Sequence, residues 1–228
     1  MAFGTVKDDI TVMDGLLGAS LNYDVIKREL TIGGKEAVLY MIDGFCKEAV
    51  AQKIVESLMK VEPGEMKKIT EEAFLKEKIP YTEVITTPSR EQTALEILSG
   101  QMALLVDGFS VAYLIDTRQY PSRSIAEPDK DRSLRGSRDS FCETLVNNTA
   151  LIRRRIRDFR LRTEHFQVGS KTKLDVVICY LDGVASRKEL GVLKKRIGEI
   201  KVDAIGMTSE ALSELLVPTS FFNPLPRI

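Results

Sequence analysis

The 228 residues carry 33 Lys plus Arg against 33 Asp plus Glu, one His and three Cys, with 43% apolar content. That length suits one large or two small α/β domains, and the balanced charge excludes a surface built throughout to hold a polyanion. No uninterrupted apolar run exceeds six residues, as in Val176 to Leu181, and Met1 to Ile10 lack the apolar core of a signal peptide, so the chain reads as soluble.

In chain order, Tyr23 to Leu30 and Ala37 to Ile42 read as strands joined at Gly33 and Gly34, a hairpin turn. After Asp43 and Gly44, the residues Val50, Ala51, Ile54, Val55 and Leu58 keep helical spacing. A charged helix follows around Glu65 to Lys76, then a connector at Pro80. Ser89 and Gln92 form a capping box for a helix that Gly100 stops. Met102 to Val106 and Val111 to Ile115 flank Asp107 and Gly108, a second hairpin signal.

From Arg118 to Arg162 there are twelve Lys or Arg against six Asp or Glu, a local net of +6 hidden inside the neutral total. Its first part, Tyr120 to Ser137, is Pro-containing and reads as an extended linker, and a helix is expected from Asp139 to Asp158. Phe141, Leu145, Ile152, Ile156 and Phe159 form one stripe for packing, while Arg153, Arg154, Arg155 and Arg157 spread over the other faces. A helix C-terminus favours cations, yet four arginines in five positions exceed what capping needs, and the guanidinium fork suits carboxylates or phosphates.

Beyond Phe159 the strand, strand, helix order returns. Val38, Leu39, Ile42, Asp43 and Gly44 recur at one constant offset as Val177, Ile178, Leu181, Asp182 and Gly183, which predicts an internal repeat between Asn22 to Met59 and Phe159 to Ile200. The second copy continues into a helix from Ser209 to Leu216 and ends among Pro218, Pro224 and Pro226 without the closing hairpin of the first. It is expected to be the smaller and truncated one, its open edge covered by Phe221, Phe222 and Leu225 or by a neighbour. The fold class is therefore α/β, two small subdomains with mixed sheets and packed helices at 1–118 and 159–228, joined by the linker and arginine-rich helix of 119–158.

Chemistry is sparse. A single His leaves no Ser-His-Asp or Cys-His constellation, and His165 reads as a partly buried structural residue. Cys46, Cys142 and Cys179 are widely spaced and odd in number, which indicates a reducing compartment without disulfides or zinc. Gly169-Ser170-Lys171-Thr172 and Gly33-Gly34-Lys35 lack Walker spacing and read as turns, and Asp8-Asp9 and Glu71-Glu72 read as solvated charge. No catalytic, cofactor-binding or metal-binding residue is assigned.

Tyr120-Pro121-Ser122-Arg123-Ser124-Ile125, Glu127-Pro128, Arg135-Gly136-Ser137-Arg138, Phe141, Glu143 and the run from Asn148 through Ala150 and Arg153 to Asp158 form an ordered signature. Ser170-Lys171-Thr172 and Tyr180-Leu181-Asp182-Gly183 extend it. In these residues the chain resembles the A subunit of the GerA family of bacterial spore germinant receptors. Family members usually carry Pro at Ser137 and Glu-Gly at Asp139-Ser140, so the linker exit is less rigid here. The resemblance implies a hydrophilic N-terminal region on the cytoplasmic side of the spore inner membrane, separated here from membrane-spanning segments. It also implies partnership with a transporter-like B subunit and a lipoprotein C subunit in nutrient-triggered germination, homo-oligomers through the A subunit, no enzymatic activity and no cofactor. Arg135, Arg138, Arg153, Arg154, Arg155 and Arg157 are the candidate subunit-interface or signalling residues. Two other readings compete: a weak nutrient-binding cleft between the subdomains, and nucleic-acid binding through the basic helix, which the neutral total and scarce stacking aromatics oppose.

Overall fold

A computed structural model of the chain describes residues 3–120 and 141–200, together with Leu212 and Leu216. The chain divides into two compact α/β units, Met1–Leu161 and Arg162–Ile228. In the first, α1 (Val6–Leu17) precedes the hairpin β1 (Val25–Ile32) and β2 (Lys35–Ile42). Then come α2 (Glu48–Met59), α3 (Pro63–Met66), α4 (Glu71–Lys78), β3 (Val84–Thr87), α5 (Arg90–Leu98), β4 (Met102–Val106), β5 (Ala112–Ile115) and α6 (Leu145–Arg155).

Five strands form one sheet in the order β1-β2-β4-β5-β3. Every pairing in it is antiparallel, which replaces the mixed sheet expected from the sequence: in β1–β2 and β4–β5 the connecting loop is short enough that each strand must run back on its partner, and β2–β4 and β3–β5 are antiparallel through longer connections. Strands β4 and β5 are buried at every position, so their unbroken apolar runs are explained by helices on both faces. On one face α1 and α5 lay Met13, Leu17, Ala94 and Ile97 over Val38, Tyr40, Leu105 and Leu114. On the other, α2 and α4 lay Ile54, Leu58 and Phe74 over Leu39, Leu104 and Tyr113. Phe74, Phe109 and Tyr113 make a ring cluster there, with centroids 5.2 to 6.1 Å apart.

The Gly33-Gly34 turn is a two-residue loop between Ile32 and Lys35 with φ of 52° and 84°, the positive pair that a type I′ hairpin needs. A Cβ on Gly33 would lie 2.3 Å from Met66 Cγ, so α3 can close over the turn only because that position is bare. The charged segment after α2 is two helices and not one: Thr70 caps α4 by accepting from the Ala73 N–H, which restarts the helix. The Ser89 capping box is half formed. Ser89 Oγ accepts from the Gln92 N–H, but Gln92 Oε1 accepts from Thr87, and the Ser89 N–H is met by Thr87 Oγ1. Asp9 is no solvated charge. It is 2% exposed and takes the Arg90 guanidinium from α5, which ties α1 to α5.

The second unit has β6 (Leu161–Val168) paired with β7 (Leu174–Leu181) and covered by α7 (Arg187–Glu199). Strand, strand, helix thus recurs in the expected order. The expected offset recurs with it, from β2 to β7 and from the start of α2 to that of α7, and Gly44 and Gly183 follow the second strand with φ of 78° and 80°, but β1 and β2 belong to a five-stranded sheet and β6 and β7 to a two-stranded one. His165, expected to be a partly buried structural residue, occupies an exposed position on β6 with Asp175 Oδ1 2.9 Å from its Nε2. The expected helix from Ser209 and the covering residues Phe221, Phe222 and Leu225 lie outside the described residues.

The small core of Val168, Ile178 and Ile197 is assisted by a charged joint, in which Lys194 Nζ of α7 reaches Glu164 Oε1 of β6 at 2.6 Å and Tyr180 also donates to it. Burial alone would raise the Glu164 carboxyl, but hydrogen bonds from Lys194 and Tyr180 outweigh it and hold the group below its ordinary value. A carboxyl depressed on folding adds stability above its unfolded pKa and loses it as the pH falls through the folded value. Acid titration followed by amide exchange in β6 and β7 is therefore expected to show weakening below the ordinary carboxylate range. Glu164→Gln should weaken these strands at neutral pH and abolish that acid dependence.

In the first unit, Phe74→Ala is expected to cost about 3–5 kcal/mol in denaturant unfolding, because a fully buried ring in a three-ring cluster leaves a void.

Candidate functional site

The arginine helix begins later than its periodicity predicts. Asn148 explains the delay: its Oδ1 accepts from the Cys142 N–H at 2.7 Å and its Nδ2 donates to the Cys142 carbonyl at 2.6 Å, holding the chain in a turn before α6. The buried residues of α6 are Thr149, Ala150 and Arg153, while Leu145, Ile152 and Ile156 are half-buried and Phe141 is 66% exposed. The packing stripe is thus rotated from the one that apolar spacing predicts, because a pair of opposite charges and a hydroxyl pair share the inward face with Ala150.

Arg153 is fully buried and grips Asp24 with a two-point fork, Nε to Oδ2 at 2.6 Å and Nη2 to Oδ1 at 2.8 Å. Four residues earlier on the same face, the Thr149 hydroxyl meets Tyr23 Oη at 2.7 Å. Beside them the turn after β2 passes directly under the helix. Gly44 has φ of 78°, and a Cβ there would come within 2.9 Å of Val146 Cγ1 and 3.3 Å of Ala150 Cβ. Arg153 therefore belongs to the interior of the first unit and offers nothing to a subunit interface, a correction to its place among the candidate residues.

Arg154, Arg155 and Arg157 are exposed, and Arg135 and Arg138 lie outside the described residues. Arg154 rests over the Tyr120 ring at 4.9 Å, and Arg157 Nη2 lies 3.4 Å from the Tyr120 hydroxyl. Tyr120 is itself fixed: its hydroxyl donates to the Ser99 carbonyl at 2.6 Å and Phe45 stands edge-on at 5.0 Å. Two cations are thereby held at the surface on a rigid aromatic plate. The pairings of Tyr23 with Thr149 and of Asp24 with Arg153 had no signal in the sequence, since nothing local marks partners 126 and 129 residues apart.

Next to this helix, between β1 and α2, lies a groove of about 820 Å³. Met41, Val55 and Met59 give it apolar walls, and Asp43, Glu48 and Gln52 give it polar ones. Cys46 also lines it, hydrogen-bonded to Thr117 at 3.0 Å, with burial pushing its thiol up and away from reactivity. Burial likewise pushes the Asp43 carboxyl above its ordinary value. The Gly44 N–H opposes this, and the neighbouring Asp24 and Glu48 add to it. Among the described residues no group of three His, Cys, Asp or Glu is placed to hold a metal ion.

The family model for the Bacillus/Clostridium GerA spore germination protein matches residues 13–228. The chain belongs to the GerA spore germination family. Within it, the chain is 36% identical over 217 residues to Stage V sporulation protein AF of Bacillus subtilis (strain 168), covering 93% of this chain and 43% of that protein. It is 28% identical over 202 residues to Spore germination protein KA of the same organism, covering 87% and 37%. The chain thus spans under half the length of these GerA relatives. Its fold is that of the N-terminal domain of the A subunit of the Bacillus megaterium spore germinant receptor GerK3, with a TM-score of 0.67 at 22% identity over 97% of this chain and 84% of that one. Among the described residues, no helix is long and apolar enough to cross a membrane.

Arg153→Ala should destabilise the first unit by about 3–5 kcal/mol, because it strands the Asp24 carboxylate in the interior. Arg154→Ala, which loses only an exposed contact with a ring, should cost about 0.5–1 kcal/mol. Urea unfolding of the two variants side by side measures the gap.

Proposed function

We propose that this chain is the assembly and signalling region of a germinant receptor A-type subunit, acting in nutrient-triggered germination beside B- and C-type subunits. The membrane-embedded part lies in the remainder of a longer protein, with this region on the cytoplasmic side of the spore inner membrane. The observation that carries the proposal is the family match over residues 13–228 within relatives more than twice the matched length. The basic face of α6 is the surface used. Arg154 and Arg157 project fork-shaped donors beside the Tyr120 ring that they contact, so less side-chain entropy is lost when an acidic partner surface closes on them than for fully free arginines. Nucleic acid is disfavoured as the occupant, because Tyr120, the aromatic residue beside these arginines, already has Arg154 over its ring and Phe45 packed perpendicular to it, which leaves less of it for a base to stack on. The role is non-enzymatic.

The test is the double charge reversal Arg154→Glu with Arg157→Glu in the full-length protein. The altered chain should melt within a few degrees of the parent, since both heads are exposed, while co-purification with its partner subunits falls and germination slows. Normal assembly and normal germination in spores carrying the double reversal would remove α6 from the interface.

A further inference from the structure

We infer that the groove between β1 and α2 is a binding site for an organic ammonium ion with an apolar body. This goes beyond the assembly reading and does not depend on it. The groove's volume, about 820 Å³, falls within the range of small-molecule sites, and every residue that lines it belongs to the first unit. Its charge is lopsided. Asp43, Glu48 and Glu56 face a single cation, Arg28, and Arg28 leans on Met59 Sδ at 3.9 Å instead of pairing with any of them.

The three carboxylates are not equivalent. Glu56 already accepts from Gln52 at 2.8 Å, and Glu48 stands in water at the start of α2. Asp43 is half-buried, and among the described residues no cation lies within ion-pair distance of it. Its neighbour Asp24 is neutralised by Arg153, so the uncompensated negative potential in this corner belongs to Asp43 and Glu48. A half-buried carboxylate without a cation costs free energy that a bound cation would recover.

Ligand chemistry follows from the walls. Asp43 and Glu48 accept hydrogen bonds and so favour a primary ammonium, while Met41, Val55 and Met59 favour a hydrocarbon or aromatic body, the methionines adapting to its shape. A free carboxylate on the ligand would face three like charges against one guanidinium, which disfavours an anion of the same shape.

Three isosteric probes decide the matter: phenethylammonium, neutral 2-phenylethanol and phenylacetate, each titrated into the 228-residue chain carrying isotope-labelled methionine methyls. Phenethylammonium is expected to shift the Met41 and Met59 methyls saturably, with the other two probes weaker by about tenfold or more. Asp43→Asn should weaken phenethylammonium binding by about tenfold while leaving the melting temperature close to the parent's. Binding should fade as the pH drops and Asp43 takes up its proton. Because Glu48 is exposed, Glu48→Gln folds in any case and supplies a second reading, a loss of about two- to fivefold. Equal binding of the neutral alcohol, unchanged affinity in both variants, or shifts that never saturate would each overturn the site, whatever the germination assays show.

Discussion

A bidentate ion pair with almost no contact with water sets the terms for the first unit: the side chains of Arg153 and Asp24 are 1% and 2% exposed. Removing two charges from water is costly, and the cost is offset only when the geometry is good. Here the fork is short at both points, and Arg153 lies in the last turn of α6, where the helix dipole favours a cation. Once the pair is seated, Val146 and Ala150 come down on Gly44, Thr149 meets Tyr23, and Arg154 arrives over Tyr120. Asn147, carried on the same helix, is one of the residues that line the groove. The outward face of α6 and the groove beside it are consequences of one inward contact.

Much of the fold was legible from the chain. Gly33-Gly34 and Asp107-Gly108 marked hairpins, the first as a two-residue turn with both glycines at positive φ and the second as the start of a longer loop in which Gly108 takes it, and β4 and β5 announced themselves as unbroken apolar runs. Helix α2 was readable because Ala51, Ile54, Val55 and Leu58 all face one core. What escaped is what charge does at a distance. Apolar periodicity treats every arginine as solvent-facing, and it cannot distinguish Arg154 on the surface from Arg153 beneath it. Asp9 and Arg90 escaped for the same reason, being 81 residues apart. Side chains that compete for backbone groups, such as Asn148 and Thr70, shifted helix ends that spacing alone had placed elsewhere.

The candidate site was half visible in the same sense. The cluster of arginines was plain, but its division into one structural and several exposed members required the partners. The groove was invisible, because its walls come from β1, β2, α2, the stretch around Tyr120 and the start of α6, and no local stretch holds more than a fragment of it. Tyr120 joins the two features. It lines the groove and carries Arg154, so a rotation of that ring would be felt on both sides.

The span of the Asp24–Arg153 pair also orders events during synthesis. Asp24 leaves the ribosome 129 residues before its partner, so the sheet and its flanking helices can assemble first, with a carboxylate waiting at an unfinished seam. Until α6 emerges, that seam keeps Asp24 wet and leaves Gly44 uncovered, and the nascent unit holds a state looser than its final one. A chain truncated before Leu145 would stay in that state. The first unit therefore locks late, on the arrival of one helix.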